Sequence, residues 1–271
     1  MTSLKLIGGD AIFAETGIKG IEMRLNPHAM QRGSGIVLLA YISLHLVNHA
    51  LGIWSLHLAE RGLMLAMLMW HSVPGTILLY GSVGVHFALA LRTIYNRRHW
   101  ALPLSEWVRL WAGLSLPLLL IRHAVGTRLA ASLYGFEPNY ERVIVSLLLS
   151  GTQGLQIALL APGWVHGCLG LWLGLRGYAP VYRAKRVLIA VFVTLPLLSA
   201  AGFFQMKRAI IAANLAGLVP DASLVQYRAA LDGWRHDFLI AYLLLIATAF
   251  AAGQLRNGFD KRVSHKAAGD A

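Results

Sequence analysis

Apolar runs of roughly 20 residues recur along most of this chain, and few folds can accommodate them. A hydrocarbon core ~30 Å thick requires a helix of about that length, since each residue rises about 1.5 Å. Composition agrees. The chain is 57% hydrophobic and 13% charged, and soluble domains carry about 25% charged residues. The expectation is an all-α integral membrane protein, a six-helix bundle whose main solvent is lipid.

The punctuation of the sequence divides it into spans. Asn26-Pro27 has the form of an N-cap followed by proline at the first helical position, so span 1 covers roughly 31–56. Residues 57–73, with Glu60, Arg61 and many Met and Leu, suit a short interfacial helix. Span 2 runs from Pro74 to about 95, and span 3 from about 106 to 126. The segment 127–142 is polar enough to lie outside the core, with Tyr134, Gly135, Pro138 and Asn139 as turn signals. Residues 143–150 read as an interfacial lead-in, interrupted by Gly151, Thr152, Gln153 and Gly154 before span 4 at about 155–177. Span 5 is expected at 186–206 and span 6 at 237–255, joined by the longest connection, which breaks at Pro220-Asp221. The domain reading is an N-terminal segment over 1–30, a membrane domain over 31–256 and a basic tail over 257–271.

The formal charge of +12 raises the possibility of nucleic acid. The Lys and Arg residues, however, sit in short connections and form no basic stripe, so nucleic acid is not expected as a partner. They collect before span 1, between spans 2 and 3, between spans 4 and 5, and after span 6, all on one side in a six-span topology. The positive-inside bias places that side and both termini in the cytoplasm. Lys207, Arg208, Arg228 and Arg235 weaken the asymmetry. The first 30 residues carry Asp10, Glu15 and Glu22 and do not have the form of a cleaved signal peptide. Cys168 is the one cysteine, so any haem is held without a thioether link.

Five of the eleven histidines, His45, His49, His86, His123 and His166, fall inside predicted spans. Ionisable groups are expensive there and mark sites. Neutral imidazole is a good iron ligand, and a b-type haem held by two histidines takes one from each of two facing helices. Alternate spans run in opposite directions, which allows depth to be counted. His86 and His166 both lie ~16 to 18 Å below the outer surface and can share one haem. His123 lies nearer that surface, with a partner expected from span 1. The candidates are His45 and His49, one turn apart on one helical face, and depth counting favours His49. A zinc site at this i, i+4 pair has no glutamate motif beside it. Pro162, Gly167 and Gly170 around His166 suit a bent helix beside a flat ring, while Gly33-Ser34-Gly35 reads as a flexible start to a helix. Trp54, Trp70, Trp100, Trp107 and Trp111 read as interfacial anchors.

Two resemblances extend this reading. The string His45-Leu46-Val47-Asn48-His49, followed by Glu60-Arg61-Gly62 and then His86, resembles the dihaem cytochrome b anchor of succinate dehydrogenases and fumarate reductases. Matching it places His45, not His49, at the first ligand position. Over nearly the whole chain, the segments His45 to Gly52, Pro74-Gly75-Thr76, His123 to Leu129, Leu133-Tyr134-Gly135 and His166-Gly167-Cys168 resemble another group. This is the six-span cytochrome b-like membrane domain of bacterial class III adenylate cyclases. That likeness implies a bacterial inner membrane, two b haems and a redox or quinone-linked input to a cytoplasmic cyclase or ferredoxin-like domain, with a homodimer as a further expectation. About 15 residues follow span 6, so such a catalytic domain is expected on a separate partner or beyond this membrane part. Arg122, Arg128 and Tyr134 are candidates to pair with haem propionates or a quinone at the outer site, with snorkelling to headgroups as the alternative. An anchor subunit of a quinone oxidoreductase and a haem-free membrane protein remain as rival functions.

Overall fold

A computed structural model describes residues 26–136, 139–213, 217–218 and 222–269, and all regular structure among them is helical. In chain order the elements are α1 (Pro27–Leu51), α2 (Leu56–Trp70), α3 (Val73–Asn96), α4 (Leu104–Ala124), a π-helical turn (Val125–Leu129) and α5 (Ala130–Tyr134). They continue with α6 (Tyr140–Leu149), α7 (Gln153–Leu175), α8 (Ala179–Arg183), α9 (Lys185–Ala213), α10 (Ala222–Gln226) and α11 (Arg228–Gly269). Six stretches are long and apolar enough to cross a membrane: α1, α3, the continuous run from α4 to α5, α7, α9, and most of α11. The all-α, six-span architecture expected from the sequence is therefore present.

Polar caps set several helix starts. Asn26 accepts the His28 amide at 3.0 Å, Ser72 that of Gly75 at 3.1 Å, and Asn139 that of Arg142 at 2.8 Å. Pro27 and Pro74 occupy first-turn positions, where a missing N–H costs nothing. Gly135, at φ 68°, terminates α5 in the left-handed conformation that glycine adopts most readily.

Several boundaries differ from the sequence reading. Helix α1 starts at Pro27, so Gly33-Ser34-Gly35 lies within it rather than forming a flexible start, and Ser34 is buried. Residues 127–134 do not leave the helix, because no breaker precedes Gly135; one π turn absorbs the irregularity instead. Helix α9 continues past Lys207 and Arg208 to Ala213, and α11 begins at Arg228, where the charged stretch is helped by an Asp232–Arg235 pair. Helix α11 also passes through 256/257 without a break. At 42 residues it spans about 63 Å, roughly twice the hydrocarbon thickness. Trp70 is buried edge-on against Tyr41, and so is a packing residue rather than an interfacial anchor. Residues 1–25, Pro138 and Pro220-Asp221 lie outside the described residues.

Packing neighbours define a ring in the order α1, α3, α11, α4, α7 and back to α1, with α9 against α1 and α7. Around this ring α3 faces α7 and α1 faces α4 across the middle. Proline positions are compensated locally. Pro196 cannot donate to the Phe192 carbonyl one turn earlier, and the Trp164 indole N–H from α7 donates to that carbonyl at 2.8 Å. At the end where α7 begins, Ala59, Tyr140, Ile144, Phe203, Met206 and Ile210 form a buried apolar cluster that fastens α2 and α6 to α9.

Candidate functional site

Five histidines project into the ring at two levels. At the first, His86 of α3 and His166 of α7 meet across the middle, ring centroids 5.9 Å apart and planes nearly perpendicular. Each lies thirteen residues beyond the start of its helix, so the two reach the same depth. At the second level, His45 of α1 and His123 of α4 lie with centroids 5.9 Å apart, and His49 joins them, 4.7 Å from His45. Bonds of about 2 Å from a metal to imidazole nitrogen put two rings on opposite sides of one ion at a centroid separation of roughly 6 Å.

Hydrogen bonds fix which nitrogen each ring leaves free. The Ser34 hydroxyl donates to the Met30 carbonyl at 2.8 Å and so accepts from His86 Nδ1 at 3.2 Å. His166 Nδ1 lies 2.9 Å from the Arg109 carbonyl, which can only accept. His123 Nδ1 donates to Gln156 Oε1 at 3.1 Å. In all three rings Nδ1 carries the proton and Nε2 keeps its lone pair, the state in which imidazole binds a metal. Anchoring the remote nitrogen in this way is how ligating histidines are held.

Two glycines make room for the rings at the first level. A side chain at Gly113 would start 2.6 Å from His166 Nδ1, so only glycine lets the ring pass over α4 to reach the Arg109 carbonyl. A Cβ at Gly35 would lie 3.2 Å from His86 Cε1. The arrangement repeats along three helices. Gly35 and His45 on α1, Gly113 and His123 on α4, and Gln156 and His166 on α7 are each ten residues apart. Ten residues rise roughly 15 Å, which is the separation of the two levels along the bundle axis.

The second level is more crowded. His49 and His45 approach Nε2 to Nε2 at 3.2 Å, and His49 Nδ1 is buried without a hydrogen-bond partner among the described residues. Here one imidazole must release the other before its nitrogen can bind a metal. His45 has the ring contact with His123, while His49 has ring contacts with Tyr140 and Phe203. A small cleft beside His49 is lined by Gln156, Ser199 and Phe203 among others. Above this level lies a polar cap: Asn48 Nδ2 donates to the Tyr140 hydroxyl at 2.8 Å, and Glu60 accepts the Tyr140 amide at 2.6 Å. Burial raises the Glu60 pKa, opposed by the amides of Tyr140 and Glu141. Burial likewise raises that of the Tyr140 phenol.

The three polar candidates from the sequence occupy different surroundings. Arg128 donates to Thr76 Oγ1 at 3.1 Å and lies 5.8 Å over the Tyr80 ring, and after burial its charge is a further cause of the lowered pKa of His71. Tyr134 stacks on Tyr227 at 4.4 Å and contacts Phe136. Arg122 is exposed on α4. Sequence reasoning missed Ser34, Gln156 and Gly113 as neighbours of the imidazoles; a ten-residue spacing to a histidine of the same helix marks Gly113 and Gln156 but not Ser34.

Each level opposes two imidazoles across the middle of the ring. Among the described residues no group of three or more His, Cys, Asp or Glu side chains is gathered so as to hold an ion. Zinc takes about four ligands from its surroundings, whereas a haem brings its own equatorial nitrogens and asks the protein for an axial pair. Compared with known proteins, the chain matches no family model, no curated protein and no solved structure.

Proposed function

We propose that this protein is a dihaem b membrane cytochrome that transfers or senses electrons. The observation carrying the reading is the His86–His166 pair, centroids 5.9 Å apart with both Nδ1 atoms anchored. His86 and His166 would hold the inner haem and His123 and His45 the outer one, with His49 as a close contact of His45. When bound, the haem iron supplies one-electron redox chemistry. The chain's own residues orient the ligands, exclude water and set the local field. Arg109 lies beside both first-level histidines and provides positive charge there. Arg128 provides it near Thr76 and His71, where an anionic group of a cofactor or a quinone oxygen finds a donor.

The resemblance to the membrane domain of adenylate cyclases supports a sensory output to a cytoplasmic cyclase or ferredoxin-like partner, with both termini on that side and a homodimer as the working unit. The test is a reduced-minus-oxidised absorption spectrum of protein purified from haem-replete cells. Bands of bis-histidine b haem are expected. Folded, colourless protein would refute the reading.

A further inference from the structure

Each candidate iron ligand on α3, α4 and α7 is oriented through its remote nitrogen by a neighbouring helix, and in two cases the anchor is a side chain. Ser34 of α1, with the Gln31 backbone carbonyl of the same helix beside it, holds His86 of α3, and Gln156 of α7 holds His123 of α4. The third anchor, the Arg109 carbonyl, is backbone and does not change with side-chain identity. Helix α7 therefore carries a ligand at one level and an anchor at the other, and α1 does the same with His45 and Ser34.

We infer that Ser34 and Gln156 are positioning residues that tune the two haem centres separately, Ser34 the inner and Gln156 the outer. The inference rests on the dihaem reading. The physical basis is the Nδ1–H bond. An acceptor there fixes the tautomer and the azimuth of the ring, and it pushes electron density toward Nε2. A more basic axial nitrogen favours the ferric state and lowers the potential. Ser34 is suited to the role because its single proton is committed to Met30, which leaves the oxygen to accept. Gln156 is suited because its carbonyl oxygen is the group that faces His123.

The experiment uses the full chain in detergent or nanodiscs, with redox titration at the haem absorption bands and electron paramagnetic resonance of the ferric state. Gln156→Leu is expected to raise the potential of the outer centre and shift its low-spin g-values, leaving the inner signal in place. Gln156→Glu is expected to move the outer potential the opposite way, because a carboxylate draws the Nδ1 proton more strongly. Ser34→Ala is expected to shift the inner centre alone, and Ser34→Thr, which keeps the hydroxyl, to restore it. Haem content should remain at the wild-type level in all four. If both centres move together, or neither moves in protein that retains its haems, this inference fails and the dihaem reading stands. Colourless wild-type protein overturns both.

Discussion

The two histidine levels share a plan but differ in completeness. At the first, two imidazoles from opposite helices face each other with both remote nitrogens bonded, and glycines clear the space beside them. At the second, three imidazoles share the space, one with a buried nitrogen that has no partner among the described residues, beneath a polar cap formed by Asn48, Glu60 and Tyr140. Both rings of the first level are held in place by their neighbours. The second level touches the short helices α2 and α6 through the Asn48–Tyr140 and Glu60–Tyr140 bonds.

The sharpest way to break this comparison is to exchange the histidines of the second level singly. His123→Ala and His45→Ala are each expected to remove the outer haem and leave the inner one, read as half the haem per protein. His49→Ala is expected to keep both haems and alter only the outer spectrum. Loss of the outer haem in His49→Ala with retention in His45→Ala would reverse the ligand assignment.

A smaller effect is expected from filling the first level. A Cβ at Gly113 would begin 2.6 Å from His166 Nδ1, whereas nothing lies within 4 Å of one at Gly84. Gly113→Val is therefore expected to displace the ring and lower inner haem occupancy, with overpacking costing about 1–3 kcal/mol. Gly84→Ala, two residues from His86, should leave haem content unchanged. Equal haem loss in both variants would remove the special status of Gly113.

The smallest effect belongs to the cap. The Glu60 carboxyl is raised above its ordinary value of 4.5, chiefly by burial. A folded-state pKa above the unfolded one means that the folded protein holds the proton longer. Stability is greatest below the unfolded value and declines as the pH rises through the interval just above 4.5. Glu60→Gln should flatten that decline in a thermal-unfolding series across pH, with the change read most clearly in the outer haem band. A series that keeps its slope in Glu60→Gln would place the titrating group elsewhere.

Much of the fold was legible because lipid imposes one requirement repeatedly: apolar runs of bilayer length, punctuated by Asn26, Pro74, Gly135 and Asn139. Boundaries near charged stretches were less legible. Lys207 and Arg208 read as a connection, yet long cationic side chains reach water from within a helix, and α9 continues through them. The histidines stood out because each is costly in an apolar span. The structure brings His86 to His166 and His45 to His123, while His49, which depth counting favoured, meets Tyr140 and Phe203 as well as His45. Ser34, Gln156 and Gly113 were hidden for a different reason. Small and neutral residues are ordinary in membrane helices, and only the three-dimensional ring shows that each lies against an imidazole.

The central claim is that His86 and His166 clasp one haem independently of the second level. Its most direct test is a pyridine haemochrome assay, normalised to protein, on wild type and His166→Ala purified side by side. Two haems per chain are expected in the wild type and one in the variant, with the surviving haem keeping the outer spectrum. An unchanged ratio in folded His166→Ala protein would contradict it.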